Sequence, residues 1–271
     1  MKIFAIRDES FDENADLAYL LYYEKPKAFY IEIPEGRSEW EVPLLLSSFV
    51  RRGEYTINAY WSKVWVQQRI VPPDRQNLGQ ILRANGLEEY DEYALLMLAN
   101  GRCAQDDCYL VPVESELLEK NLKKRFERRV EDILAVKDTS VLLFFRDGYI
   151  RMIELQKYIE EHPPFAPLRR EAQCFRQVYV QPGGYGIAWG ENTSISSEEL
   201  YDMGQVIPLT REDFCYFGAE RLVNTAEAAD ILECSRQNIE DLVRRGKLSP
   251  IKSTAKNRLF LKSEIEQRKW I

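Results

Sequence analysis

The spacing of apolar and polar residues predicts both strands and helices over residues 1–113. Apolar and polar residues alternate in Lys2–Ile6 and Ala28–Ile33, as expected for half-buried strands. Apolar residues cluster at helical spacing in Leu17–Tyr23 and Leu44–Arg51, which predicts helices. Further helices are predicted at residues 62–68 (capped by Ser62), 76–84 and 89–99. This segment is therefore expected to be a mixed α/β domain.

The middle of the chain predicts a connecting helix and then a compact domain. Leu118, Leu122 and Phe126 recur every four residues, which predicts an amphipathic helix over residues 114–127. In the following segment, residues 128–217, the same reasoning predicts several short elements. These are strands at 130–136, 140–145 and 149–155, a turn at 146–148 and a helix at 156–161. The segment is thus expected to be a small α+β domain.

Residues 128–217 also contain several distinctive runs. They are FRDG at Phe145–Gly148, FAPLRR at Phe165–Arg170, CFRQVYV at Cys174–Val180, GIAWGENTSIS at Gly186–Ser196 and SSEELY at Ser196–Tyr201. In these runs the segment resembles a small bacterial domain of unknown function, which is sometimes joined to a helix-turn-helix. The resemblance covers about 75 residues. It implies a compact α+β module and brings no catalytic residues with it.

The last segment, residues 218–271, predicts two short helices joined by a tight turn. Thr225 is a plausible N-cap for a helix over Ala226–Leu232, and Ser235 for a second helix that ends at Gly246. Such a pair is the geometry of DNA-reading domains. A hairpin is then predicted from residues 251–252 and 258–261, with a final helix opening at Ser263.

The run LVNTAEAADILECSRQNIEDLVRRGKLSPIK, followed by RLFLKSEIEQ, closely resembles the winged helix-turn-helix of the excisionase and MerR-like class. The resemblance implies that the second helix enters the major groove of double-stranded DNA and that the hairpin, or wing, lies along the backbone. It nominates as DNA contacts Ser235, Arg236, Gln237, Asn238, Arg244, Arg245, Lys247, Lys252, Lys256 and Arg258. Arginine and amide side chains bond base edges, and lysines neutralise phosphates. Glu240 and Asp241 lie among these residues and would repel phosphate.

The charge is distributed unevenly along the chain. The net charge is −7, but residues 221–271 hold 11 basic and 7 acidic side chains, a local charge of +4, and residues 1–220 carry −11. A basic end favours a nucleic-acid partner, and an acidic body argues against DNA coating the whole protein. The acidic body is also placed to compete with DNA for the basic end.

The remaining chemistry predicts neither a metal nor a cofactor. The five cysteines are odd in number and scattered, so they are expected to be free thiols. Cys103 and Cys108 lack a second pair of zinc ligands, and His162 is the only histidine. Gly183, Gly184 and Gly186 are expected to form a turn. No apolar run reaches membrane-spanning length and no signal sequence precedes the first strand, so the protein is expected in the cytoplasm.

The sequence therefore predicts a multidomain α+β protein: two mixed α/β modules followed by a small winged helix-turn-helix. The predicted function is a bacterial DNA-binding protein, either a transcriptional regulator or a mobile-element accessory factor. The upstream domains would sense, bind a protein partner or self-associate. One alternative is a protein-interaction adaptor that docks a partner through the winged helix. Another is an enzyme in the first segment using Asp106 or Asp107, which is disfavoured because no nucleophile, base and orienting group can be identified.

Overall fold

The computed structural model describes residues 1–11, 15–136, 139–169, 172–190 and 192–268. These residues divide into two compact units. The first consists of Met1–Asp147 and Ile153–Gly204, and the second of Gly148–Met152 and the chain from Gln205 onward.

The first unit begins with a five-stranded antiparallel sheet in the order β4-β3-β2-β1-β5. Its elements along the chain are β1 (Lys2–Asp8), β2 (Ala18–Tyr23), β3 (Ala28–Glu32), α1 (Leu44–Arg51), β4 (Thr56–Ile57), α2 (Ala59–Gln67), α3 (Leu78–Ala84), α4 (Glu92–Leu98) and β5 (Cys108–Pro112). One face of the sheet packs against the helices in a core that includes Trp65 and Leu96. Ile3, Tyr19 and Leu21 are buried on the other face.

The prediction of a helix at Leu17–Tyr23 is wrong, because these residues include strand β2. The strand lies between β1 and β3, and its first five residues are buried. A strand covered on both faces is apolar without alternation, so its pattern cannot be distinguished from that of a short buried helix.

Two predicted helix starts also move. Asn58, and not Ser62, caps α2 by accepting a hydrogen bond from the Trp61 amide at 3.0 Å. The buried Ser62 hydroxyl instead donates to the Ile57 carbonyl oxygen at 3.1 Å. The connecting helix α5 covers Lys120–Glu127 and is preceded by a 3-10 turn.

Residues 130–205 form the second part of the first unit and reach into the second unit through one strand. The elements are β6 (Val130–Ala135), β7 (Ser140–Phe145), β8 (Tyr149–Glu154), α6 (Gln156–Glu161), α7 (Ala172–Phe175), β9 (Tyr179–Val180), β10 (Gly186–Gly190), β11 (Thr193–Ser196) and α8 (Ser197–Met203). Strand β6 pairs with β7, and β10 pairs with both β9 and β11, all antiparallel. Phe145, Phe175 and Ile187 lie in the core that these elements share.

The second unit contains a short sheet and four helices. Its elements are β12 (Gln205–Thr210), α9 (Arg211–Arg221), β13 (Leu222–Asn224), α10 (Thr225–Ile231), α11 (Arg236–Arg244), β14 (Lys252–Ser253), β15 (Arg258–Leu261) and α12 (Lys262–Gln267). Strand β12 pairs with the segment of β8 that belongs to this unit. Strand β15 lies between β13 and β14, antiparallel to both. Val223, Ala228, Ile239 and Phe260 are buried in the core beneath α10 and α11.

Candidate nucleic-acid interface

Helix α10 is held at its start by a reciprocal pair of side chains. The Asn224 side-chain oxygen accepts from the amides of Ala226 and Glu227 at 2.8 and 3.1 Å, and the Glu227 carboxylate accepts from the Asn224 amide at 2.7 Å. This is a capping box, which satisfies amides that the helix leaves unpaired. The N-cap is therefore Asn224, and the prediction of Thr225 is wrong by one residue.

A tight turn then directs the chain into α11. Glu233 adopts a left-handed backbone conformation with φ of +50°, and the Cys234 amide donates back to the Ala229 carbonyl oxygen at 3.0 Å. Ser235 caps α11 by accepting from the Asn238 amide at 3.3 Å. The buried Ala228 and Ala229 lack bulk, so α10 and α11 pack closely. The predicted pair of helices joined by a tight turn is confirmed.

Helix α11 has one buried side and one side that faces outward. Ile239 is fully buried, with Leu242 and Val243 packed beside it. At 100° per residue, the side opposite Ile239 carries Gln237 and Arg244, with Glu240 and Asp241 between them. The sequence thus gives α11 a polar face that is unused by the core.

Part of this face lines a shallow groove of about 680 Å³. The lining residues are Gln237, Glu240, Asp241, Val243, Arg244 and Arg258. Arg258 comes from β15, so the groove joins the helix to the hairpin. Three of the predicted contacts, Gln237, Arg244 and Arg258, are therefore brought together. The contribution of Val243 was not predicted, because its apolar side chain suggested the core alone.

The groove has mixed charge. The Asp241 carboxylate contacts the Arg244 guanidinium, and its second oxygen lies 4.0 Å from Nη2 of Arg245. An acid with two basic neighbours neutralises part of their charge. The face therefore presents less positive potential than its arginines alone would give.

The other predicted residues surround the groove without lining it. Arg236, Asn238, Arg245 and Lys247 are exposed on or just after α11. Strands β14 and β15 form the predicted hairpin, with Ser253 opposite Arg258, and the exposed Lys252 and Lys256 lie on it and its turn. Ser235 is exposed, but its hydroxyl is already used as the helix cap.

The remaining candidate residues have structural surroundings. Nδ1 of His162 lies 2.8 Å from the Tyr158 carbonyl oxygen, and the two rings stack. Gly184 has φ of +78°, and a Cβ there would clash with the Val130 carbonyl oxygen, so its turn requires glycine. Throughout the described ranges, no group of three or more histidine, cysteine, aspartate or glutamate side chains is arranged to hold a metal ion. No helix in the same ranges is both long and apolar enough to cross a membrane.

Two parts of the chain match models of known families. Residues 130–205 match a protein of unknown function (DUF2442), and residues 222–270 match a helix-turn-helix domain. Both resemblances predicted from the sequence are confirmed, as is the multidomain α+β fold class. No curated protein and no solved structure matches the chain significantly. The C-terminal domain is a helix-turn-helix domain, which supports DNA as its partner.

Proposed function

We propose that the chain is a bacterial, cytoplasmic regulator of transcription or an accessory factor of a mobile element, of the excisionase and MerR-like type. It reads double-stranded DNA with α11 in the major groove and with the β14–β15 hairpin, acting as a wing, along the backbone. The observation that carries this proposal is the groove in which Gln237 and Arg244 of α11 lie beside Arg258 of β15. The role is binding, and no catalytic step is assigned.

The chemistry of each side chain suggests its contact. Gln237 and Asn238 present both a donor and an acceptor, which suits adenine, and Arg236 and Arg244 present the paired donors that suit guanine. Arg245, Lys247, Lys252 and Lys256 are exposed cations on the flanks, where phosphate contacts set the position of the helix. The Ser235 hydroxyl caps α11, so its contribution to DNA is the orientation of the helix start.

Acidic groups within the reading face favour selective binding over strong non-specific binding. Glu240 and Asp241 lower the attraction to phosphate, which is the part of the affinity that does not depend on sequence. Base contacts then make up a larger share of the total. The proposed binding site on DNA is therefore a defined sequence.

The experiment is a selection of genomic fragments from the source organism on the purified full chain. We expect a shared sequence to be enriched. The variant combining Arg236→Ala with Arg244→Ala should lose that enrichment. A matched control, Arg75→Ala with Arg83→Ala, removes two exposed arginines of the first unit and should keep it. Recovery without any shared sequence, or equal enrichment by both variants, would contradict the proposal.

A further inference from the structure

Helix α9 has an unusual relation to its own unit, because none of its eleven residues is buried. Tyr216 is 71% exposed and Phe217 is 52% exposed. A helix of a globular protein ordinarily hides its large apolar side chains on one face. The apolar residues of α9 remain accessible in the part of the chain that the structure describes.

The neighbouring strand adds to this surface. Strand β12 contacts α9, and its residues Val206 and Leu209 are each 49% exposed. We call these four residues, Val206, Leu209, Tyr216 and Phe217, the α9 surface. Phe214, one turn before Phe217, is also exposed and lies at its edge.

The size of the α9 surface matches one side of a protein dimer. With Phe214, it exposes on the order of 500 Å² of mainly apolar area, whereas a standard interface buries about 800 Å² per partner, a little over half of it apolar. Apolar patches above a few hundred Å² on soluble proteins usually mark interaction sites. The polar residues between the aromatic ones on α9, such as Glu220, would complete the contact area.

The position of α9 in the chain indicates which partner fits. Helix α9 ends at Arg221 and β13 starts at Leu222, with no linker between them. Strand β13 pairs with β15, which supplies Arg258 to the groove. A contact made by α9 is therefore transmitted through a short, paired segment to the reading helix.

We infer that the α9 surface binds the same surface of a second copy of this chain, forming a two-fold symmetric dimer. A dimer places two copies of α11 in one assembly, and helix-turn-helix dimers read two half-sites about one helical turn of DNA apart. It also offsets the weak positive potential of each groove, because two linked sites bind more tightly than one. The consequence for DNA rests on the proposed function, but the oligomeric state does not.

The test is the mass of the full chain in solution, measured without DNA by light scattering during gel filtration. The wild type should have twice the mass of the 271-residue chain. Phe217→Glu places a charge in the centre of the α9 surface, and it should have the mass of one chain. Tyr216→Glu provides a second, independent disruption of the same surface. Both positions are exposed, so circular dichroism should show that each variant is folded.

Trp40→Glu is the matched control, since Trp40 is 79% exposed and lies in the first unit. This variant should remain a dimer. A wild type with the mass of one chain, or a folded Phe217→Glu that keeps the mass of two, would overturn the inference. The mass is read without DNA, so failure of the dimer is distinguished from failure of DNA binding. If the dimer exists, Phe217→Glu should also weaken binding to a two-half-site duplex by roughly 100-fold.

Discussion

The Asp241 carboxylate contacts the Arg244 guanidinium three residues further along α11. Both residues line the groove between the helix and the β14–β15 hairpin, so the proposed reading face carries its own competitor for a cation. A phosphate or a base edge must replace Asp241 before Arg244 is fully available. Asp241 is thus expected to limit affinity and to favour sites that compensate for its charge.

Asp241→Asn should raise affinity for DNA about threefold to tenfold, because it removes a negative charge near the phosphates and releases Arg244. The gain should be largest on non-specific DNA and at low salt. Fluorescence anisotropy on a specific and a scrambled duplex measures both effects. Asp230→Asn makes the same change of charge on the exposed end of α10 and should have a much smaller effect. Equal gains for the two variants would show that only net charge matters.

The capping box assigns the start of α10 to Asn224. Asn224→Ala should destabilise the start of this helix by about 1 kcal/mol, since it removes the acceptor for two amides. Hydrogen exchange of the Ala226 and Glu227 amides should accelerate about fivefold, which corresponds to that free energy. Thr225→Ala is the matched neighbour and should leave the exchange nearly unchanged. A larger effect at Thr225 would move the cap back to that residue.

A buried ionic cluster joins β3 to the start of the family-matched domain. Glu32 is fully buried, with Oε2 3.1 Å from Nη1 of Arg125 and Oε1 in contact with Arg129. The Arg129 guanidinium lies 3.1 Å from the centroid of the Tyr185 ring. One carboxylate therefore compensates two largely buried cations from separate parts of the first unit.

Glu32→Gln should destabilise the first unit by about 3–5 kcal/mol, because two buried guanidinium groups lose their counter-charge while the volume is kept. Urea denaturation followed by tryptophan fluorescence measures this change. Glu35→Gln is the control, since Glu35 is 49% exposed and its nearest contact with Arg125 is 4.0 Å. A loss below about 1 kcal/mol for Glu32→Gln would show that the cluster is not required for stability.

The cysteines should differ strongly in reactivity. Burial, together with the nearby Asp106 carboxylate, raises the pKa of the Cys108 thiol to about 12. Only a thiolate reacts readily, so Cys108 should resist iodoacetamide at pH 8 in the folded protein. Exposed Cys215 should be labelled first. Mass spectrometry of digested protein, with urea-unfolded protein as reference, measures the order, and early labelling of Cys108 would contradict its burial.

The sequence predicts an element well where its signals are local. Ser235 and Gly246 bracket α11 within a few residues, and the apolar spacing identifies Ile239 as its buried side, so this helix was correctly predicted. Helix α9 was missed because no single face of it is buried, which leaves little apolar periodicity to detect. Its capping box between Thr210 and Asp213 is a local signal that would have marked its start.

Contacts between distant parts of the chain could not be predicted from one sequence. Glu32 and Arg129 are 97 positions apart, and no pattern in either neighbourhood indicates that they meet. The same holds for Arg258, which joins Gln237 and Arg244 only after the hairpin has folded back against α11. The choice between Arg244 and Arg245 as the main partner of Asp241 depends on rotamers, which spacing alone does not determine.

The most direct test of the account is the salt dependence of binding between the full chain and a duplex recovered by the genomic selection. For the wild type, the logarithm of affinity should fall linearly with the logarithm of salt concentration, with a slope of about 0.9 per phosphate neutralised. Arg236→Ala with Arg244→Ala should lower affinity for this duplex by at least about tenfold, because each good base contact contributes about 1–3 kcal/mol. The Arg75→Ala with Arg83→Ala control should bind as the wild type does. Affinity that is independent of salt, or unchanged by loss of Arg236 and Arg244, would contradict the assignment of α11 as a DNA-reading helix.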